Sequence, residues 1–270
     1  MKPVDVIQGS GPLVLGMPHC GTHVPEDIFN RLTPLGQTLG DTDWHVDRLY
    51  AGLLDNVTIV RANFHRYVID ANRDPSGVSL YPGQNTTGLV PLTNFDGEPL
   101  WMNEPEEEEI EARRKAWHEP YHAALAGELE RVRHLNGAAI LYDCHSIRSV
   151  IPFLFEGVLP DFNIGTNGGI TCAPQIEHAV TEICGAASGY TSIVNGRFKG
   201  GWTTRHYGRP EQGIHAIQME LVQKTHLATE AVPFDYDEEK AKRLRVHLAA
   251  ILEKLAGLAP TLSENTGANQ

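Results

Sequence analysis

Cysteine is sparse in this 270-residue chain: Cys20, Cys144, Cys172 and Cys184 are the only four, and no C-x-x-C pair occurs. A disulfide framework is therefore not expected, and a reducing, cytoplasmic setting is. No run of eighteen apolar residues is present, and Met1 to Ser10 carry one lysine and no apolar stretch of signal-peptide length. Neither membrane spanning nor secretion is expected. Basic charge is also short. Lys and Arg total 22 against 34 Asp and Glu, a net charge of −12, so there is no basic field to grip nucleic acid or an anionic membrane. Neither G-x-G-x-x-G nor G-x-x-x-x-G-K-[ST] occurs, which leaves nucleotide binding without a motif. No G-x-S-x-G elbow supports a serine nucleophile, and Ser146 beside His145 cannot by itself make a triad.

What is present suits a sizeable core: 41% hydrophobic and 21% charged residues in a length that one large domain can hold. Short apolar or β-branched runs at Leu13–Met17, Val57–Ala62, Ala138–Tyr142, Ser192–Val194 and His215–Met219 predict strands, several of them buried on both faces. Longer amphipathic stretches at Asp43–Leu54, Glu104–His134, Ala173–Ala187 and Tyr236–Leu258 predict helices. The alternation predicts an α/β fold, a three-layer α/β/α arrangement on a mixed, largely parallel sheet. Residues 1–260 read as one catalytic domain and 261–270, polar and without an apolar period, as a mobile tail. The acidic run Glu106–Glu109 after Pro105 fits the first turn of a helix and carries no functional weight.

The candidate chemistry sits where predicted strands end. Leu13–Met17 runs into Pro18-His19-Cys20-Gly21, and Ala138–Leu141 into Tyr142-Asp143-Cys144-His145-Ser146. Strand alternation puts Asp143 and His145 on one face and Cys144 on the other, so Cys144 reads as packing. Between them, Asp41-Thr42-Asp43-Trp44-His45-Val46-Asp47 clusters carboxylates at a helix start. A hydrolytic zinc site wants two imidazoles, a carboxylate and a position open to water, and His19, Asp43 and His145 supply that set. His23, His45, His65, His118, His122, His134 and His178 read as ordinary surface or capping residues. Arginine outnumbers lysine 15 to 7, and Arg66, Arg73, Arg148, Arg197 and Arg205 fall in loop-like segments, where a planar guanidinium suits bidentate carboxylate binding.

Taken in order, PHCGTHVP, DTDWHVDRLY, FHRYVIDANRDP, YPGQNTTGLVP, LYDCHSIRS, NGRFKGGWTTRHYG and HAIQMEL resemble the N-formylglutamate amidohydrolase family from residue 18 to about 235. That family is in turn similar to the zinc carboxypeptidases and the acylglutamate and acylaspartate deacylases. The resemblance implies a zinc-carboxypeptidase-like (phosphorylase/hydrolase-like) fold, with His19, Asp43 and His145 as metal ligands and Glu220 as the catalytic carboxylate. Asn72 and Arg73 become a substrate-carboxylate pair, with Arg66, Arg148, Asn195, Arg197, Thr203 and Arg205 as further substrate-binding candidates. The His-x-x-Glu of the carboxypeptidases is absent, so Asp47 and His23 compete with Asp43 for the second ligand position. Cys20 and Cys144 stand where alanine or serine is expected, and would bring softer atoms near the metal.

The activity so implied is hydrolysis of the formamide bond of N-formyl-L-glutamate to L-glutamate and formate, the last step of histidine degradation. The cofactor would be one Zn²⁺ per chain, with cobalt or manganese as alternatives. A deacylase of another N-acyl acidic amino acid is the nearest alternative. A non-catalytic carboxylate-binding protein on the same scaffold is a second, although binding alone needs no general base.

Overall fold

The computed structural model describes residues 1–79 and 83–264, so Tyr81 and Pro82 of the YPGQNTTGLVP motif, and the tail beyond Glu264, lie outside the described residues. Among the described residues, seven strands form one sheet: β1 (Val4–Ile7), β2 (Leu13–Met17), β3 (Thr58–Ala62), β4 (Ala139–Ile147), β5 (Phe162–Gly165), β6 (Ser192–Val194) and β7 (Ile214–Val222). Their order across the sheet is β1-β3-β2-β4-β7-β5-β6. The inner four, β3, β2, β4 and β7, run parallel, whereas β1 opposes β3 and β5 opposes β7. The sheet is thus mixed and largely parallel.

The helices are α1 (Glu26–Phe29), α2 (Val46–Tyr50), α3 (Glu107–Arg113), α4 (Glu119–Asn136), α5 (Pro174–Ala186), α6 (Trp202–Tyr207) and α7 (Glu238–Glu264). Because successive strand residues point to opposite faces, β4 feeds two cores. Ile140, Tyr142 and Cys144 join the apolar faces of α2, α5 and α7. Ala139 and Leu141 join Tyr121, Leu125, Leu129 and Val132 of α4. Helices therefore cover both faces, the expected three layers. Leu244, Leu248, Leu252 and Leu255 bury one stripe of α7 completely, and truncating any of them to alanine costs about 2–5 kcal/mol.

Element boundaries depart from expectation in physically readable ways. The helix expected over Asp43–Leu54 shrinks to Val46–Tyr50, because His45 before it takes a left-handed backbone (φ 59°). The long helix expected over Glu104–His134 runs from Glu107 to Asn136 but is interrupted by a π-helical turn at Arg114–His118. It stops at Gly137, whose φ of 79° an L side chain rarely adopts. Helix α7 continues through Thr261 to Glu264, four residues into the segment expected to be tail. Strands β1 and β5, four residues each, and the short α6 were not expected; each is too short for a periodic signal.

The parallel strands β2, β4 and β7 deliver their chemistry at one edge of the sheet. His19 lies two residues beyond β2, while His145 and Glu220 are register partners near the ends of β4 and β7. Ligand sites of open α/β sheets form at such carboxyl ends.

Candidate active site

His19 leaves the fully buried strand β2, and its carbonyl accepts the Asp43 amide at 3.1 Å, which ties the two loops together. Asp43 Oδ2 then lies 3.1 Å from His145 Nδ1 and 3.7 Å from His19 Nδ1, with all three side chains at most 3% exposed. One donor atom from each falls within 4.8 Å of the others, the single such His/Cys/Asp/Glu group among the described residues. The far side of each imidazole is also engaged. His19 Nε2 is 2.7 Å from Asp70 Oδ1 and His145 Nε2 is 3.3 Å from Asp143 Oδ2. A carboxylate can only accept, so with an ion held between the Nδ1 atoms and Asp43 each ring would keep its proton on Nε2, towards Asp70 and Asp143. This is the carboxylate–imidazole support that orients histidines at metal sites. Two imidazole nitrogens and a carboxylate fit a divalent cation of the zinc kind.

The electrostatics match. Burial works against ionising Asp43, but hydrogen bonds from His145 and His19 outweigh it and hold its carboxyl below the usual range. Burial disfavours a charged His145, yet Asp143 and Asp43 raise its pKa well above the ordinary imidazole value.

Asp70 and Asp143 were not singled out as site residues. Asp70 is fully buried and accepts from Arg66 Nη2 (2.6 Å) and the Asn72 amide (2.8 Å) as well as His19. Burial opposes its ionisation, and Arg66 and Arg73 hold its pKa far down despite that. The only sequence signal was its place inside FHRYVIDANRDP. Asp143 announced itself by sharing a strand face with His145.

Glu220 is 7% exposed and accepts from Gln218 Nε2 at 3.2 Å. Burial pushes its carboxyl up to about 8; nearby His145 pulls it down, and Asp43 pushes it further up. A carboxyl that both holds and releases a proton near neutral pH has the property a general base needs.

These groups open on a cavity of about 210 Å³ whose wall also includes Arg66, Asn72, Arg73 and Arg197, with apolar cover from Leu89, Phe95, Leu154 and Phe198. Arg73 is braced across the cavity, Nε to Thr87 O and Nη2 to Thr87 Oγ1, both 2.8 Å. Arg66 stacks on Phe95, 4.8 Å from the ring centre, and comes within 4.0 Å of Asp43. Arg197 reaches Leu154 O and Asn85 O. Four expected substrate residues are not brought to this wall. Arg148 bonds Asp96 (2.7 Å), and Asn195, at φ 50°, receives the Thr166 and Gly168 amides. Thr203 offers its backbone N–H to Asn72 Oδ1 at 2.9 Å, and Arg205 Nε bonds Gly200 O.

The competing ligands sit elsewhere. Asp47 pairs with Arg61 at 2.8 Å, and the His23 ring lies against Trp117. Cys144 is in the apolar core and Cys20 packs against it, so neither thiol belongs to the donor group. His65, His118 and His122, read as surface or capping residues, are buried. His65 Nδ1 does accept the nearby Tyr67 amide, but its Nε2 meets Thr42, and the partners of His118 and His122 lie on other segments of the chain, which no local pattern reports.

The family model described as N-formylglutamate amidohydrolase matches residues 11–227. The N-formylglutamate deformylase of Pseudomonas putida is 44% identical over 257 residues, covering 94% of this chain and 96% of the relative. That of Pseudomonas aeruginosa PAO1 is 43% identical over 252 residues, covering 92% and 94%. The crystal structure of N-formylglutamate amidohydrolase from Ralstonia eutropha JMP134 superimposes with a TM-score of 0.74 at 26% identity, covering 98% of both chains.

Proposed function

Because the chain belongs to the N-formylglutamate amidohydrolase family, we propose that it hydrolyses the formamide bond of N-formyl-L-glutamate, with one zinc ion held by His19, Asp43 and His145. The observation that carries this reading is the convergence of both Nδ1 atoms and Asp43 beside the protonatable Glu220, at the bottom of a cavity walled by arginines.

The bound metal would supply a Lewis acid that polarises the formyl oxygen and makes water more acidic. Every other part falls to the protein. Glu220 takes a proton from the attacking water as the oxygen adds to the formyl carbon. It returns that proton to the glutamate nitrogen as the C–N bond breaks, which releases formate and L-glutamate. Asn72, Arg73 and Arg197 hold the substrate carboxylates, and Arg66 adds positive charge beneath them. Buried Asp70 and Asp143 keep both imidazoles in the ligating tautomer.

The setting proposed is the end of histidine degradation in the cytoplasm. Four free cysteines accord with a reducing compartment. Metal analysis of the purified protein, with formate and amine release followed over N-formyl-, N-acetyl- and N-succinyl-glutamate and -aspartate, tests the assignment. The reading predicts about one metal per chain and a preference for the formyl compound. A metal-free enzyme that is fully active, or one that prefers a larger acyl group, overturns it.

A further inference from the structure

The turn carrying Asn72 and Arg73 is gripped from outside the cavity by two histidines of the α4 layer. His118 Nε2 lies 3.1 Å from Arg73 O, and His122 Nε2 lies 2.8 Å from Ala71 O. These carbonyls flank Asn72 on either side. A carbonyl only accepts, so both rings must carry the proton on Nε2. His122 Nδ1 is then left to accept from the Tyr207 hydroxyl at 3.0 Å. Burial keeps both imidazoles neutral, His122 down to about 3, so each has one N–H to give.

A specific irregularity aims these rings. The π-helical turn Arg114–His118 precedes α4, and an i→i+5 turn brings residues five apart onto one face. Arg113, which reaches Val68 O at 3.1 Å, therefore shares a face with His118, and an α-helical step of four then adds His122. An uninterrupted α-helix would turn Arg113 and His118 apart by more than a third of a circle. On the other side, Gly201 clears space for the Asn72 amide: a Cβ there would sit 2.3 Å from Nδ2.

We propose that His118 and His122 are positioning residues that fix the Asn72–Arg73 turn in its substrate-binding geometry, without touching metal or substrate. The inference rests on the reading of Asn72 and Arg73 as substrate-binding residues. Asp70 accepts the Asn72 amide, but Arg66 and His19 anchor it as well, so loosening the two flanking carbonyls should loosen substrate binding while metal binding is kept.

The test uses the zinc-loaded full chain with His118→Leu, His118→Gln, His122→Leu and His122→Gln, and Asn72→Ala as reference. KM and kcat for N-formyl-L-glutamate, calorimetric affinity for the product L-glutamate, and zinc content are measured. The leucine variants are expected to raise KM and weaken L-glutamate roughly tenfold, the scale of one lost buried hydrogen bond, with kcat within about twofold and zinc unchanged. The glutamine variants, whose Nε2 reaches about as far as the imidazole Nε2, should recover most of the affinity. If a leucine variant does not fold, asparagine, too short to reach the carbonyl, replaces it and is read the same way. Unchanged KM and L-glutamate affinity in the leucine variants, with both impaired in Asn72→Ala, overturns the inference and spares the functional reading. Glutamine variants as impaired as leucine also overturn it, since the loss is then one of packing. If Asn72→Ala itself binds normally, it is the substrate role of Asn72 that fails, and this inference falls with it.

Discussion

His145 and Glu220 are register partners on the adjacent parallel strands β4 and β7. Side chains at matched positions leave one face of a sheet together, so an imidazole of the donor group and a carboxyl lifted by burial to about 8 meet at one height. Under the proposed function their roles diverge, one acting through metal occupancy and one through proton transfer, and the difference is measurable.

Glu220→Gln, nearly isosteric, should leave fold, zinc and KM close to normal while kcat falls by roughly two to four orders of magnitude. Steady-state kinetics beside zinc analysis decides this. A variant with near-normal turnover, or one that has lost its metal, assigns the chemistry to another carboxylate.

His19→Ala and His145→Ala should each lose both zinc and activity, because a three-donor site cannot spare a ligand. Asp43→Ala should lose zinc first, and excess zinc should restore part of its rate but none of that of Glu220→Gln. Full metal occupancy in both histidine variants sinks the assignment.

Asp70→Asn and Asp143→Asn keep the shape but weaken the acceptor behind each histidine. Zinc affinity in each should fall about 10–100-fold, read by competition with a chelator. Equal affinity in wild type and both variants would show that the carboxylates serve packing alone.

His226 is fully buried, with Nε2 3.0 Å from Trp44 O, and burial pushes its pKa down from 6.5 to about 4. The unfolded chain therefore binds a proton below pH 6.5 that the folded chain refuses. Stability from this residue is present in full above pH 6.5 and is lost as pH falls towards 4. Between pH 7.5 and pH 5 the loss is about 2 kcal/mol, and His226→Gln should remove it. Urea unfolding of both proteins at the two pH values measures the difference; an identical pH dependence would locate the acid sensitivity elsewhere.

Much of this was legible locally. Leu13–Met17 and Ala138–Tyr142 are apolar without alternation, the mark of strands covered on both faces, and they became the centre of the sheet. The two-residue period placed Asp143 with His145 and Gln218 with Glu220 before any tertiary contact was known. It also turned Cys144 into the core. The arginine-bearing loops were harder. Whether a loop side chain faces a cavity depends on its turn, and Arg148 and Asn195 turn to other partners, while Thr203 and Arg205 sit on helix α6, where Thr203 meets Asn72 through its backbone N–H and Arg205 bonds Gly200 O.

The sequence by itself determined the α/β alternation, the order of the motifs and, through strand period, which residues share a face, because these depend on neighbours along the chain. Tertiary structure alone decided what those faces meet. It brought Asp70 behind His19, left Asp47 with Arg61 and set His118 and His122 against the Asn72 turn. Partners far apart in sequence are chosen by packing, and one extra residue in a helical turn is enough to redirect a face.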